Sequence, residues 1–226
     1  MIKGFFITGT DTGVGKTYVA AGIASALRSR RLDVGVMKPV ETGCRTIEGK
    51  LVPRDAKKLI MAAGARDSIA LVNPYRFRKP LAPSIAAELD HAAVNISTII
   101  KAYRTLSRKH DLMIVEGAGG ILVPLTAKHT YLDLAGEIGL PVVIVARPGL
   151  GTINHTLLTI SALRGRGSQI AGVVINYSRS QKTGLAEKTS PALIERMSGV
   201  PILATMPFRS LEFEGLADRL QHDPLS

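Results

Sequence analysis

Apolar residues fall along this chain in two alternating patterns. Short runs rich in valine and isoleucine, apolar on both faces, alternate with longer stretches in which apolar positions recur at helical spacing. Gly4–Gly9 ("GFFITG"), Asp33–Val40 ("DVGVMKPV", stopped by Pro39), "DLMIVEGAGG", "LPVVIVARPGLG", "QIAGVVINYS" and "VPILATMPF" read as strands. Lys16–Arg30, "RDAKKLIMAAG" with Gly64 as its stop, Pro83–Leu89, Asn95–His110 with Asn95 as cap, "TYLDLAGEIG", "TINHTLLTISALRGRG" and "SPALIERMSG" read as helices. The segment that follows the second strand, to about Pro53, is rich in glycine and charge, and "VNPYRFRKPLAPS" is a loop punctuated by proline. The tail after Phe208 predicts a short surface helix.

Strands that are apolar on both faces need cover on both sides. The pattern therefore predicts a three-layer α/β/α fold with a mostly parallel central sheet of about six or seven strands. Residues 1–226 are expected to form one domain, and neither an internal repeat nor a low-complexity segment interrupts them.

Composition narrows the setting. The opening "MIKGFFITGT" is too short and glycine-rich for a secretory leader, and no apolar run approaches the roughly 18 residues of a membrane span. A single cysteine, Cys44, excludes an internal disulfide and a cysteine-based zinc cluster, so a cytoplasmic protein without a membrane partner is expected. The net charge of +11 raises nucleic-acid binding. The basic residues are scattered in small groups, mostly at predicted helix ends, with no basic–aromatic interleave, so no nucleic-acid partner is expected.

In sheets of this kind ligands bind outside the carboxyl ends of the strands. The first such end carries "TGTDTGVGKT", between a predicted strand and a predicted helix. This is a phosphate-binding P-loop with its first glycine displaced, because Thr10 occupies that position and Gly9 precedes it. Gly13 and Gly15 let backbone N–H groups curl round an anion at a helix N-terminus. Lys16 is placed to reach the β- and γ-phosphates, and the Thr17 hydroxyl to ligate Mg²⁺. The fold is accordingly expected to be P-loop NTPase-like. Partition and septum-site ATPases resemble "KGGxGKT" here, and Asp11 stands where their early lysine would be.

Three other strand ends add candidates. Lys38 in "VMKPVETG" either faces the same crevice or extends its amine to solvent, with Thr42 four residues on. Glu116 ends an apolar strand, where P-loop proteins carry a metal-side carboxylate, and is followed by glycines. Asp55 in "PRDAKK" is either a third oxygen ligand or an ordinary helix N-terminal charge, and the residues alone favour the latter. Asn176 either reads adenine through its two-sided amide or simply suits a turn. "TMPF" supplies a rigid proline and an aromatic wall.

Together these residues resemble the dethiobiotin synthetase family, over essentially the whole chain and in order. "GTDTGVGKT" matches that family's variant P-loop, "KPVETG" its KPV-x-[ST]-G segment, and "RDA", "NPYRF", "PLAPS", "VEGAGG", "LGTINHTLLT" and "VVIN" recur. The resemblance implies an ATP-dependent cyclo-ligase of biotin synthesis. One amine of 7,8-diaminopelargonic acid is carbamated by CO₂, the carbamate attacks the ATP γ-phosphate, and the second amine closes a cyclic urea as phosphate leaves.

It also implies roles. Lys16, Lys38 and Thr12 are catalytic, with Lys38 beside the carbamate. ATP is held by Gly13, Val14, Gly15, Lys16, Thr17 and Tyr18, by Asp55, and by Glu116, Gly117, Ala118 and Gly119. Its base end meets Asn176, Tyr177, Pro207, Phe208 and Arg209. Thr17, Asp55 and Glu116 hold Mg²⁺, which lifts Asp55 above the simpler reading. Lys38, Thr42, Gly151, Thr152, Ile153 and Asn154 bind the diamine substrate, the last four across the interface of a homodimer, with His155 in a supporting position. Some relatives carry lysine where this chain has Gly149; Arg147 is the candidate to replace it. Two alternatives compete. An amidase of the cobyrinic acid group needs a glutaminase domain with a nucleophilic cysteine, for which Ser226 comes too soon and Cys44 lies in a loop. A nucleotide-dependent switch or partition-type ATPase lacks its early lysine here.

Overall fold

The computed structural model describes residues 3–222. Six parallel strands form one sheet: β1 (Gly4–Gly9), β2 (Val34–Met37), β7 (Leu112–Gly120), β8 (Val142–Ala146), β9 (Ile170–Asn176) and β10 (Ile202–Met206), in the order β10-β9-β8-β1-β7-β2. The helices are α1 (Lys16–Ser29), α2 (Arg54–Ala63), α3 (Ile69–Val72), α4 (Pro83–Leu89), α5 (Ile96–Ser107), α6 (Tyr131–Ile138), α7 (Thr152–Gly165), α8 (Leu185–Ser198) and α9 (Glu214–His222). Two small pairings lie outside the main sheet. β3 (Val40–Glu41) runs parallel to β6 (Tyr75–Arg76), and β4 (Arg45–Ile47) forms an antiparallel hairpin with β5 (Lys50–Val52). None of the described helices is long and apolar enough to cross a membrane.

Alternation along the buried strands sends side chains into two cores. Phe5, Ile7, Val143 and Val145 join α1, α2 and α9 on one face, while Phe6, Val142 and Ile144 join α5, α6, α7 and α8 on the other. The expected three layers are present, with β1 and its P-loop near the middle of the sheet.

Several boundaries differ from expectation, each for a physical reason. The second strand stops at Met37, so Lys38 leaves the sheet and Val40–Glu41 pairs elsewhere. The third expected strand does not end at Glu116 but continues through its glycines to Gly120, because Gly9 still pairs with Gly120 past a register shift. The last crossover helix begins at Leu185, ahead of Pro191, and the Glu187 carboxylate accepts the Gly184 N–H at its start. The tail helix is not merely a surface element. Phe213, Leu216, Ala217 and Leu220 are buried against α1.

Candidate functional site

The P-loop follows β1 and enters α1 through Gly15, which caps the helix in the left-handed region at φ 92°. A Cβ there would come within 2.1 Å of the Asn176 amide nitrogen, so the position needs glycine for both conformation and space. The displaced glycine has its own reason. A Cβ on Gly9 would lie 2.8 Å from Lys16 Nζ and 2.9 Å from a Val14 methyl, so the loop closes over a residue without a side chain.

Lys16 is buried, and its ammonium donates to the Asp11 carbonyl at 2.9 Å. Burial, reinforced by the nearby Lys38 charge, lowers its pKa to about 8. Lys38 reaches the same place from β2. Met37 pairs with Val115, so Lys38, just past the end of β2, and Glu116, within β7, stand at the same level. Their side chains meet: Lys38 Nζ donates to Glu116 Oε1 at 2.5 Å and to the Gly117 carbonyl at 3.0 Å. Asp55 Oδ2 stands 3.7 Å from the same nitrogen. Burial alone would lower the Lys38 pKa, but the Glu116 and Asp55 carboxylates outweigh it and hold the group charged. The strand-end lysine therefore faces the crevice.

Thr17 donates its hydroxyl to Glu116 Oε1 at 2.8 Å. Glu116 Oε2 is buried with no hydrogen-bond partner among the described residues. An orphaned carboxylate oxygen, a hydroxyl and a second carboxylate at one point form a hard oxygen set that suits Mg²⁺. No group of three His, Cys, Asp or Glu side chains among the described residues could hold a metal by itself.

One supporting residue was not anticipated. Glu41 is buried, and its two carboxylate oxygens accept the backbone N–H groups of Asp55 and Ala56, each at 3.0 Å. It supplies the N-terminal acceptor that α2 lacks, since Pro53 at the cap offers none. Glu41 thereby fixes where Asp55 enters the site. Burial raises its own pKa, and the two N–H bonds oppose that rise.

A cleft of about 740 Å³ joins most of the expected residues. Thr12, Gly13, Gly15, Lys16, Thr17, Tyr18, Lys38, Thr42, Asp55, Glu116, Ala118 and Gly119 line it, with Glu41, Lys58 and the Pro80–Pro83 segment added by the structure. Val14 is packed in the core instead, and Gly117 contributes its carbonyl to Lys38. Asn176 ends β9 beside the loop and donates to the Val14 carbonyl at 2.8 Å, which leaves its own Oδ1 buried without a described partner. Tyr177 follows it, with its ring buried in the core on the α7–α8 face. Pro207, Phe208 and Arg209 form the turn after β10, where Arg209 stacks over the Phe208 ring 5.0 Å from its centre.

Gly151, Thr152, Ile153 and Asn154 do not line this cleft. They begin α7 beyond the end of β8, with Gly151 as a left-handed cap and the Thr152 hydroxyl buried without a described partner. Gly149 lies against Glu187, whose carboxylate would be 3.0 Å from a Cβ there, so a side chain at this position would crowd α8. Arg147 reaches over Gly151, 3.4 Å from where its Cβ would be, and lines a second cleft of about 420 Å³ with Asp11–Val14 and Arg179.

A P-loop on a parallel sheet, with a buried lysine just past β2, a carboxylate within β7, and a hydroxyl and a second carboxylate at the starts of α1 and α2, defines a P-loop ATPase. A family profile described as an AAA domain matches residues 3–211. Solved structures agree on the fold: a ParA family ATPase from Chlorobium tepidum superposes with a TM-score of 0.55 at 17% identity, over 99% of this chain and 94% of its own. The MinC:MinD complex of Aquifex aeolicus gives 0.56 at 15% identity, over 96% and 86%. Sequence relatives are more specific. The ATP-dependent dethiobiotin synthetase BioD of Thermodesulfovibrio yellowstonii is 42% identical over 92% of this chain and 90% of its own. Those of Anaeromyxobacter dehalogenans (44%, over 92% and 91%) and Bacillus licheniformis (42%, over 91% and 86%) are similar. The chain belongs to the ATP-dependent dethiobiotin synthetase family.

Proposed function

We propose that this protein is an ATP-dependent cyclo-ligase that closes the ureido ring of dethiobiotin from 7,8-diaminopelargonic acid and CO₂. The observation that carries the reading is the convergence of two buried lysines, Lys16 and Lys38, on one cleft beside Glu116 and Asp55. Hydrolysis alone needs a cation for the γ-phosphate. Joining a carbamate to that phosphate brings two anions together, and a second fixed cation answers that need.

In this reading the P-loop amides and Lys16 hold the phosphates, while Thr12 stands at the mouth of the loop. Lys38 leaves Glu116 to meet the carbamate oxygen as it attacks the γ-phosphorus. ADP departs, a carbamic–phosphoric anhydride remains, and the second amine attacks its carbonyl carbon. The C–O bond to phosphate breaks and inorganic phosphate leaves. Thr17, Asp55 and Glu116 would hold Mg²⁺, which neutralises phosphate charge when bound. Thr42, on the cleft wall beyond Lys38, would contact the diamine, and Asn176 with the Pro207–Arg209 turn would hold the base.

The N-terminal turn of α7 fits the substrate carboxylate of a second subunit. The Thr152 N–H is taken by the Gly149 carbonyl, so the later N–H groups of the first turn would meet that carboxylate, and Leu150 and Leu158 are exposed on the same helix region at 86% and 60%. A homodimer would cover those side chains. The test is phosphate release by the purified protein with ATP and Mg²⁺. Adding diaminopelargonate and bicarbonate should stimulate it strongly; equal release with and without the diamine would sink the reading.

A further inference from the structure

Helix α1 carries the P-loop residues Lys16 and Thr17 at its start, and the segment from Ser210 into the start of α9 contacts it from the P-loop end to its far end. At the far end Arg30 donates to the Glu214 carbonyl and carboxylate, both at 2.9 Å, and pairs with Asp218 at 2.8 Å. In the middle the Phe213 ring lies on Gly22, where a Cβ would come within 2.3 Å of it. At the P-loop end, Tyr18 packs edge-on against Phe213 with ring centres 5.3 Å apart, and its hydroxyl donates to the Ser210 carbonyl.

Ser210 closes the turn that follows β10. Its N–H donates to the Pro207 carbonyl at 3.1 Å, and Arg209 within the turn adopts φ 59°, in the left-handed region. The other end of this turn is tied to the same loop by a different route. Met206 pairs with Asn176, and Asn176 donates to the Val14 carbonyl. Both ends of the Pro207–Ser210 turn are therefore referenced to the P-loop, one through Asn176 and one through Tyr18.

We propose that Tyr18 is a positioning residue that, through Ser210 and Phe213, sets the distance between the phosphate loop and the base-end turn, and so gauges the length of a nucleoside triphosphate. The inference rests on the reading of this cleft as an ATP site. A nucleotide must span from the P-loop to the turn, whereas a bare polyphosphate engages the loop alone. The tie matters only to a ligand that touches both.

The experiment is calorimetric binding of ATP and of inorganic tripolyphosphate, with no diamine present. Tyr18→Phe keeps the ring and deletes one hydrogen bond, so ATP should bind about five- to tenfold more weakly. Tripolyphosphate should bind both proteins alike within about twofold, since the loop amides and Lys16 are untouched. Arg30→Gln loosens the far end of α9; it should lower the melting temperature yet keep the parent preference for ATP over tripolyphosphate. Phe213→Ala should reproduce the Tyr18→Phe pattern in larger measure. The proposal is overturned if Tyr18→Phe binds ATP like the parent, or weakens both ligands equally. It is also overturned if the loss in Arg30→Gln tracks stability in the same way. A parent that binds ATP no more tightly than tripolyphosphate would remove the base-end site itself, and the gauge with it.

Discussion

Replacing Lys38 by methionine tests the centre of the site without touching its volume greatly. In the folded chain Lys38 and Glu116 are a buried pair, with side chains 4% and 1% exposed. Removing one partner strands the other charge, which in proteins costs about 3–5 kcal/mol. The Glu116 carboxylate would keep the Thr17 hydroxyl bond, worth about 1 kcal/mol, so the lower end of that range applies. A loss of about 3 kcal/mol in a chain of this length lowers the melting temperature by about 6–12 °C. Glu116→Gln relieves the stranded charge, so the double variant should recover at least half of that loss. The assay is a double-mutant cycle by thermal and urea unfolding of the ligand-free protein, with ATP turnover measured in parallel. Turnover should fall to background in every variant. If Lys38→Met melts within about 1 °C of the parent, or the double variant melts below both single ones, the two groups are not coupled as the geometry requires.

Two further perturbations probe groups away from the phosphates. Burial raises the Cys44 thiol pKa to about 11, so iodoacetamide at pH 8 should modify it slowly in the native protein and rapidly in urea; rapid native alkylation would contradict that environment. His110 bridges Asp33 Oδ1 at 2.9 Å and Asp67 Oδ2 at 2.7 Å, and both ring nitrogens can donate only in the charged form. Burial opposes its charging, but the two carboxylates prevail and raise its pKa above 6.5. Its contribution is therefore fully present below that unfolded value and lost as pH rises through the higher folded one. Asp67 moves the other way: burial resists, His110 and Lys109 prevail, and its contribution is lost as pH falls through a lowered value. Urea midpoints of the parent should fall relative to His110→Gln as pH rises from about 6.5. A pH-independent difference would show that the ring bonds are not charge-assisted.

What the sequence disclosed followed the strength of its patterns. All six main strands were legible because each is built on a short, mostly apolar run of the kind a two-sided parallel sheet requires. The hairpin β4–β5, the two-residue strands β3 and β6, and the single turn of α3 were not, because two to four residues carry no periodicity. The tail helix did carry a signal. Phe213, Leu216, Ala217 and Leu220 follow the spacing of one buried helical face, and only the charged residues between them suggested a surface element.

Within the site, residues with local signatures were the visible ones. Lys16 and Thr17 belong to a contiguous motif whose backbone conformation is written in its glycines. Glu41 was invisible because it caps a helix 14 residues away, and a lone glutamate in a polar loop looks like any solvated charge. Its trace lay in α2 rather than in itself. A helix that opens after Pro53 with no capping side chain implies an acceptor brought from elsewhere.

The pairing of Lys38 with Glu116 shows how core residues determine a polar site. Neither side chain selects the other at a distance. Val34–Met37 and Leu112–Val115 pair residue for residue, and burial on both faces fixes that register. A slip of one residue would set Lys38 level with Gly117 and send Glu116 to the opposite face of the sheet. Solved chains at 15–17% identity share this fold, and a shared fold does not by itself carry a shared reaction. One position past that register stands Lys38, a second buried cation beside Lys16. In the proposed reaction it is the group that would meet the carbamate beside the γ-phosphate.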